Sequence, residues 1–215
     1  MSEAQTQPFT GQGLAVLRGE RLLFKQLAFS LEAGGVLLLR GANGSGKTTL
    51  LRILAGLTQP LAGSLTWGGH PVAELAEVYR RKVAYIGHRP GLKGDLTPRE
   101  SLRFEAGLRG LPTAAVDQAL DSLDLQSLAD LAIKNLSAGQ RRRVALARLG
   151  LGSLEAGAPE LWLLDEPATA LDSASEAALW RLCAQRLSEG ARMVIATHSD
   201  VPLEGCQVLT FEPAA

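Results

Sequence analysis

The chain has 215 residues, 46% of them hydrophobic, with 22 Lys plus Arg against 22 Asp plus Glu. That length suits one core with a small satellite subdomain, and a net charge of zero removes any global electrostatic case for a nucleic-acid or acidic-membrane partner. No apolar run approaches the ~18 residues of a membrane span, and Cys183 and Cys206 lack the CxxC spacing of a metal or redox site, so we expect a cytosolic protein from a reducing compartment.

Met1 to Gln12 is polar, contains Pro8 and lacks a basic-then-apolar leader pattern, so 1–12 reads as a flexible N-terminus ahead of a single domain over 13–215. Gly13–Leu17, Phe24–Leu31 and Val36–Arg40 read as short strands of an antiparallel lead-in, separated by the turns Arg18-Gly19-Glu20 and Ala33-Gly34-Gly35. After Val36-Leu37-Leu38-Leu39 comes Gly41-Ala42-Asn43-Gly44-Ser45-Gly46-Lys47-Thr48-Thr49, and then the helix-like Leu50–Ala55. A glycine-rich loop between a strand and a helix lets backbone N–H groups converge on phosphate oxygens. Lys47 supplies a point charge to the β and γ phosphates, and the Thr48 hydroxyl can ligate Mg²⁺. This loop predicts a nucleoside triphosphate site.

Gly63–Trp67 reads as a strand, with Trp67 as a packing residue, and Lys82–Ile86 as a buried one. From Pro98 to Lys134 the pattern is helical, with Leu102, Phe104, Ala106 and Leu108, then Val116, Ala119, Leu120 and Leu123, near three-to-four spacing and Pro98 and Pro112 at helix starts. An α-helical subdomain over about 88–140 is therefore inserted in an α/β chain. A long helix follows Ser137, and Arg141-Arg142-Arg143 reads as its solvated face. Gly150–Pro159 reads as a surface loop. Leu161–Leu164, Met193–Ala196 and Gln207–Phe211 read as strands, with a helix over Ala174–Leu187. Such alternation implies an α/β fold built on a mostly parallel sheet with helices on both faces.

Two further segments carry chemistry. The strand Leu161–Leu164 ends in Asp165-Glu166, at the carboxyl end where open α/β sheets hold ligands. Asp165 suits a Mg²⁺ shell, and Glu166 can orient or deprotonate an attacking water. In Leu136-Ser137-Ala138-Gly139-Gln140, Ser137 has N-cap chemistry, Gly139 clears a side chain from the approach, and the following helix offers its positive end to a phosphate.

The order of phosphate loop, LSAGQ, LLDEP, ALD (Ala170–Asp172) and a late His198 after a strand resembles the nucleotide-binding subunit of ATP-binding cassette (ABC) transporters, over about Leu14 to Phe211. The resemblance implies a P-loop NTPase fold of the ABC type, ATP and Mg²⁺ as ligands, and ATP hydrolysis coupled to transport. It implies a second copy of the chain in a two-fold ATP-sandwich dimer, where Ser137, Ala138, Gly139 and Gln140 close over the partner's ATP, Asp172 lies near the interface and His198 touches the γ-phosphate. It also implies an integral membrane permease docked on the helical subdomain at the loop from Gly87 to Thr97, on the cytoplasmic side of a bacterial inner membrane.

Departures narrow the resemblance. His88 stands where most such subunits carry a glutamine that links Mg²⁺ and the attacking water to the permease, which makes it the expected coupling residue and a Mg²⁺-side group. Ala138 replaces the first glycine of the usual signature, and no aromatic ring near Leu17-Arg18-Gly19 offers to stack on adenine, leaving the Arg18 guanidinium. Gly87-His88, Leu65–Gly69, Leu92–Thr97, LSAGQ and Trp162 before LLDEP look like the cytochrome c maturation branch, the ATPase of the haem exporter. No CxxCH motif is present and His70, His88 and His198 have no haem-like context, so direct haem binding is not expected. Other readings are the ATPase of another small-molecule exporter and, more remotely, a cassette ATPase acting on nucleic acid or the ribosome. The latter proteins carry a long coiled-coil insertion or two cassettes, and this chain has neither.

Overall fold

A two-residue alternation along the central strands divides their side chains between two cores. In the computed structural model, which describes residues 7–153 and 158–211, the first half runs β1 (Phe9–Arg18), β2 (Arg21–Leu31), β3 (Val36–Gly41), α1 (Lys47–Leu54), β4 (Ala62–Trp67), β5 (His70–Pro71), α2 (Val72–Arg81) and β6 (Val83–Ile86). The second half runs α3 (Pro98–Leu108), α4 (Ala114–Ser122), α5 (Ala138–Ala147), β7 (Leu161–Asp165), α6 (Ser173–Ser188), β8 (Arg192–Ala196) and β9 (Gln207–Phe211).

Five strands form a parallel sheet in the order β6-β7-β8-β3-β9, and four form an antiparallel sheet in the order β2-β1-β4-β5. Val36, Leu38, Trp162, Leu164, Met193 and Ile195 face the core shared with α3 to α6. Their neighbours Leu37, Leu39, Leu161, Leu163, Val194 and Ala196 face α1 and the antiparallel sheet. A strand buried on both faces needs a continuous apolar run, which is what these segments have. Leu50, Leu51 and Leu54 of α1 are fully buried, each worth about 2 kcal/mol of burial, so the helix behind the phosphate loop is anchored firmly to the sheet.

Arg192 joins the layers. It lies inside β8, donates from Nε to the Leu31 carbonyl and from Nη2 to the Gln7 carbonyl, and stacks its guanidinium 4.8 Å from the Trp67 ring. Trp67, Phe9 and Tyr79 form an aromatic cluster between the sheets, which agrees with Trp67 as a packing residue. Tyr79 donates its hydroxyl to the Leu54 carbonyl at the end of α1.

Several expectations need correction. Of the segment 1–12, residues 1–6 lie outside the described residues, while Phe9–Gln12 already belong to β1 and pair with β2 and β4. Val36–Arg40 is not part of the antiparallel lead-in: β3 is a parallel strand between β8 and β9, because both of its faces are apolar. One face of the parallel sheet packs on α1, with the antiparallel sheet joining the same core beside that helix. Helix α2 was not expected; it begins after Pro71 without a side-chain cap and breaks at Ala76 (φ 24°), so its apolar period is interrupted. On α3, Leu102 and Ala106 are buried but Phe104 is 63% and Leu108 71% exposed, since residues two apart on a helix point ~200° apart. The expected loop Gly150–Pro159 falls partly on 154–157, outside the described residues.

Candidate nucleotide site

Strand order sets the site. The loops leaving the carboxyl ends of β6, β7, β8 and β3, four neighbours in the sheet, carry His88, Asp165-Glu166, Thr197-His198 and the phosphate loop respectively. These residues meet in one cavity of about 620 Å³ lined by Asn43, Gly44, Gly46, Lys47, Thr48, Thr49, His88, Asp165, Glu166 and His198, with Arg18 and Leu23 also on its wall.

The phosphate loop is shaped by glycines at two points. At Gly41 (φ 140°) a β-carbon would sit 2.7 Å from the Phe211 carbonyl oxygen, and Gly46 (φ 112°) turns the chain into α1. The first N–H groups of a helix have no intrahelical partner, and Gly46 brings no capping side chain, so the start of α1 is built to receive an anion. Lys47 is only 7% exposed and donates from Nζ to the Gly41 and Ala42 carbonyls at 2.6 and 3.0 Å. Ser45 Oγ is buried with no hydrogen-bond partner.

Across the cavity, Thr48 donates to Asp165 Oδ2 at 2.8 Å, and Asp165 is buried at the end of β7. Glu166 takes a left-handed backbone, φ 48°, rare for a residue with a side chain. Its N–H continues the β7–β8 ladder to the Ala196 carbonyl, and its Oε2 accepts the Thr197 hydroxyl at 3.1 Å. His198 Nε2 is 3.0 Å from Asn43 Oδ1, 3.4 Å from Lys47 Nζ and 3.7 Å from Glu166 Oε1. Because β8 lies between β7 and β3, this one imidazole touches both the acid and the phosphate loop.

Among the described residues no group of three or more His, Cys, Asp and Glu side chains is arranged to hold a metal ion. Thr48 and Asp165 offer two hard oxygens. That donor set fits Mg²⁺, which completes its shell with phosphate oxygens and water.

The other expected site residues are placed elsewhere. Ser137, Ala138, Gly139, Gln140 and Asp172 do not line the cavity. Ser137 and Gln140 form a reciprocal capping box at the start of α5, with Ser137 N–H to Gln140 Oε1 at 2.8 Å and Gln140 N–H to Ser137 Oγ at 3.2 Å. Gly139 lets the Ala170 carbonyl approach, since a β-carbon would lie 2.6 Å from that oxygen. Asp172 caps α6 through Ser175 N–H at 2.8 Å, and hydrogen bonds from Ser175 hold its carboxyl below the usual range.

Arg142 corrects the reading of the triple arginine. It is 4% exposed and reaches under the site, donating to the carbonyls of Gly87, Asp165, Glu166 and Pro167. Burial lowers its pKa, and Asp165 and Glu166 partly offset this. Only the apolar residues around it, Leu136, Val144 and Leu146, hinted that this helix is buried on more than one side.

The family model described as ABC transporter matches residues 24–169. The chain is similar to proteins named cytochrome c biogenesis ATP-binding export protein CcmA. The Rhodospirillum rubrum protein is 47% identical over 95% of this chain and 85% of its own, and that of Paramagnetospirillum magneticum 46% identical over 96% and 95%. The Methylococcus capsulatus protein is 40% identical over 98% of this chain and all of its own. Among solved structures, an ATP-binding subunit of an ABC transporter aligns with a TM-score of 0.78 at 26% identity, over 89% of this chain and 80% of that one. A putative ABC transporter ATP-binding protein from Pyrococcus furiosus aligns at 0.80 and 24% identity, over 95% and 98%, and shares the fold. The chain belongs to the ATP-binding subunits of ABC transporters, in the group of the CcmA proteins.

Proposed function

We propose that this chain is the ATP-hydrolysing subunit of an export complex serving cytochrome c biogenesis, with haem handled by its membrane partners. The observation that carries the chemistry is the convergence of Lys47, Thr48, Asp165, Glu166, His198 and His88 on one cavity. Its assignment to cytochrome c biogenesis is supported by the names of its relatives.

In the proposed mechanism the triphosphate lies along the start of α1. It takes Lys47 Nζ from the Gly41 and Ala42 carbonyls and accepts the first N–H groups of the helix. Thr48 and Asp165 would hold Mg²⁺, which supplies charge neutralisation at the β and γ phosphates. Glu166, fixed by the Thr197 hydroxyl, orients and deprotonates the attacking water. His198 donates toward the γ-phosphate, and His88 sits at the exit toward the permease. Catalysis is then mostly positioning and charge stabilisation.

The site is closed by a second copy whose Ser137 and Gly139 contact the γ-phosphate, with Asp172 near the two-fold interface. No helix among the described residues is long and apolar enough to cross a membrane. Attachment to the cytoplasmic face of a bacterial inner membrane therefore runs through a permease, for which the exposed Phe104 and Leu108 on α3 offer an apolar contact. Co-purification from membranes tests this reading. An integral permease should come down with the chain, and Lys47→Ala should abolish ATP hydrolysis and cytochrome c assembly while keeping the complex. A permease from an unrelated exporter would overturn the cytochrome assignment and leave the ATPase intact.

A further inference from the structure

Arg142 lies on the signature helix, and the hydrogen bonds of its guanidinium end on the backbone of other motifs. Nε donates to the Pro167 carbonyl at 3.2 Å, Nη1 to Gly87 at 2.8 Å, and Nη2 to Asp165 and Glu166, each at 2.8 Å. The Gly87 carbonyl belongs to the peptide unit that carries the His88 nitrogen. The other three belong to consecutive residues, and they converge on one guanidinium because Glu166 sits at φ 48°.

A buried cation must be paired, and carbonyls that converge without a donor repel one another, so cation and turn stabilise each other. The partners are carbonyls, not carboxylates, which leaves the side chains of Asp165 and Glu166 free to face the cavity. Only a planar fork can serve four acceptors spread over two loops; a lysine has three donors on one atom. The next arginine along the helix does something else. Arg143 donates to the Leu123 and Asp124 carbonyls, outside the site.

We propose that Arg142 is a positioning residue of the hydrolytic site: its guanidinium holds Glu166 in the left-handed conformation that aims its carboxylate at the cavity, and fixes the loop of His88 in register with it. Because Arg142 rides on α5, a shift of the signature helix is passed to the carboxylate of the same subunit. This inference rests on the reading of Glu166 and His88 as parts of an ATP-hydrolysing site, and goes beyond it by naming what sets their positions.

The test compares wild type, Arg142→Lys and Arg142→Gln as full-length proteins, measuring ATP turnover, equilibrium ATP affinity and thermal melting. Misplacing a catalytic group by about 1 Å costs on the order of 100-fold in rate. Arg142→Gln should accordingly lose ~100-fold in kcat and Arg142→Lys ~10-fold, with ATP affinity within about 3-fold of wild type and the melting rise on adding ATP preserved. Turnover within about 2-fold of wild type in both variants would overturn the proposal. A parallel fall of turnover, ATP affinity and melting temperature would overturn it too, as would an Arg142→Lys protein that does not fold, since either gives the clamp to the fold at large. A wild-type protein that binds no ATP would instead remove the ATPase reading itself.

Discussion

Thr197 donates its hydroxyl to Glu166 Oε2 at 3.1 Å, so the acid that faces the cavity is held by the last buried residue before His198. An amide oxygen accepts the same bond. Glu166→Gln should therefore keep the site's shape and lose the proton acceptor, dropping turnover by ~100-fold or more and leaving ATP bound. Trapped ATP should hold two copies together, read by size-exclusion chromatography in saturating ATP. A Glu166→Gln protein that stays monomeric there counts against the sandwich dimer.

His88 lies on the cavity wall and is exposed, two residues beyond β6. On its proposed role beside the reacting groups rather than on the phosphates, replacing it by alanine should leave ATP affinity near wild type and reduce partner-stimulated turnover by about 10-fold. Stimulated turnover and transport both equal to wild type would end its role as a coupling residue.

Arg18 and Leu23 also line the cavity, and among the described residues no Phe, Tyr or Trp does. A guanidinium can stack on a purine face but distinguishes bases poorly. Arg18→Ala should raise KM for ATP by about 3- to 10-fold with kcat little changed, and Arg18→Tyr should restore it. If wild type prefers ATP to GTP by more than ~100-fold, some other group reads the base.

Burial pushes the Cys183 thiol up to about 12, and the half-buried Cys206 thiol is raised as well. Below the unfolded value of 9.0 the neutral Cys183 contributes its full stability. Between there and about 12 only the unfolded chain ionises, so stability falls as pH rises. Denaturant melts at about pH 8 and about pH 10.5 should show a larger loss in wild type than in Cys183→Ala. Equal losses would mean that this thiol does not drive the change. In the native protein thiol reagents should modify Cys206 slowly and Cys183 only on unfolding.

Much of the site was legible because its chemistry is local in sequence. The phosphate loop, Asp165-Glu166 and His198 each announce themselves by a strand that stops at a polar residue, and the sheet order then brings them together. Arg142 was hidden for the opposite reason. Its partners are carbonyls 23 to 55 residues away, and a carbonyl has no sequence signature, so a run of three arginines read as solvated. Helix α2 escaped because the break at Ala76 and the missing cap remove the two signals by which helices are recognised. Phe104 and Leu108 carry the same apolar signal as Leu102 in the helical pattern, although they lie on the other side of α3 from it.

The pairing of β3 with β8 and β9 also has a consequence for how the protein is made. Leu38 finds Ile195 and Val208 as sheet neighbours, and Arg40 bonds the Thr197 carbonyl 157 residues away. During synthesis the phosphate loop emerges early beside a strand with two unpaired edges, while Thr197 and His198 are still to be translated. A ribosome-bound chain stopped after α6 is therefore expected to be a client of chaperones, unable to turn over ATP. Competence arrives only when the last strands insert on either side of β3, so an unfinished copy cannot fire in the complex.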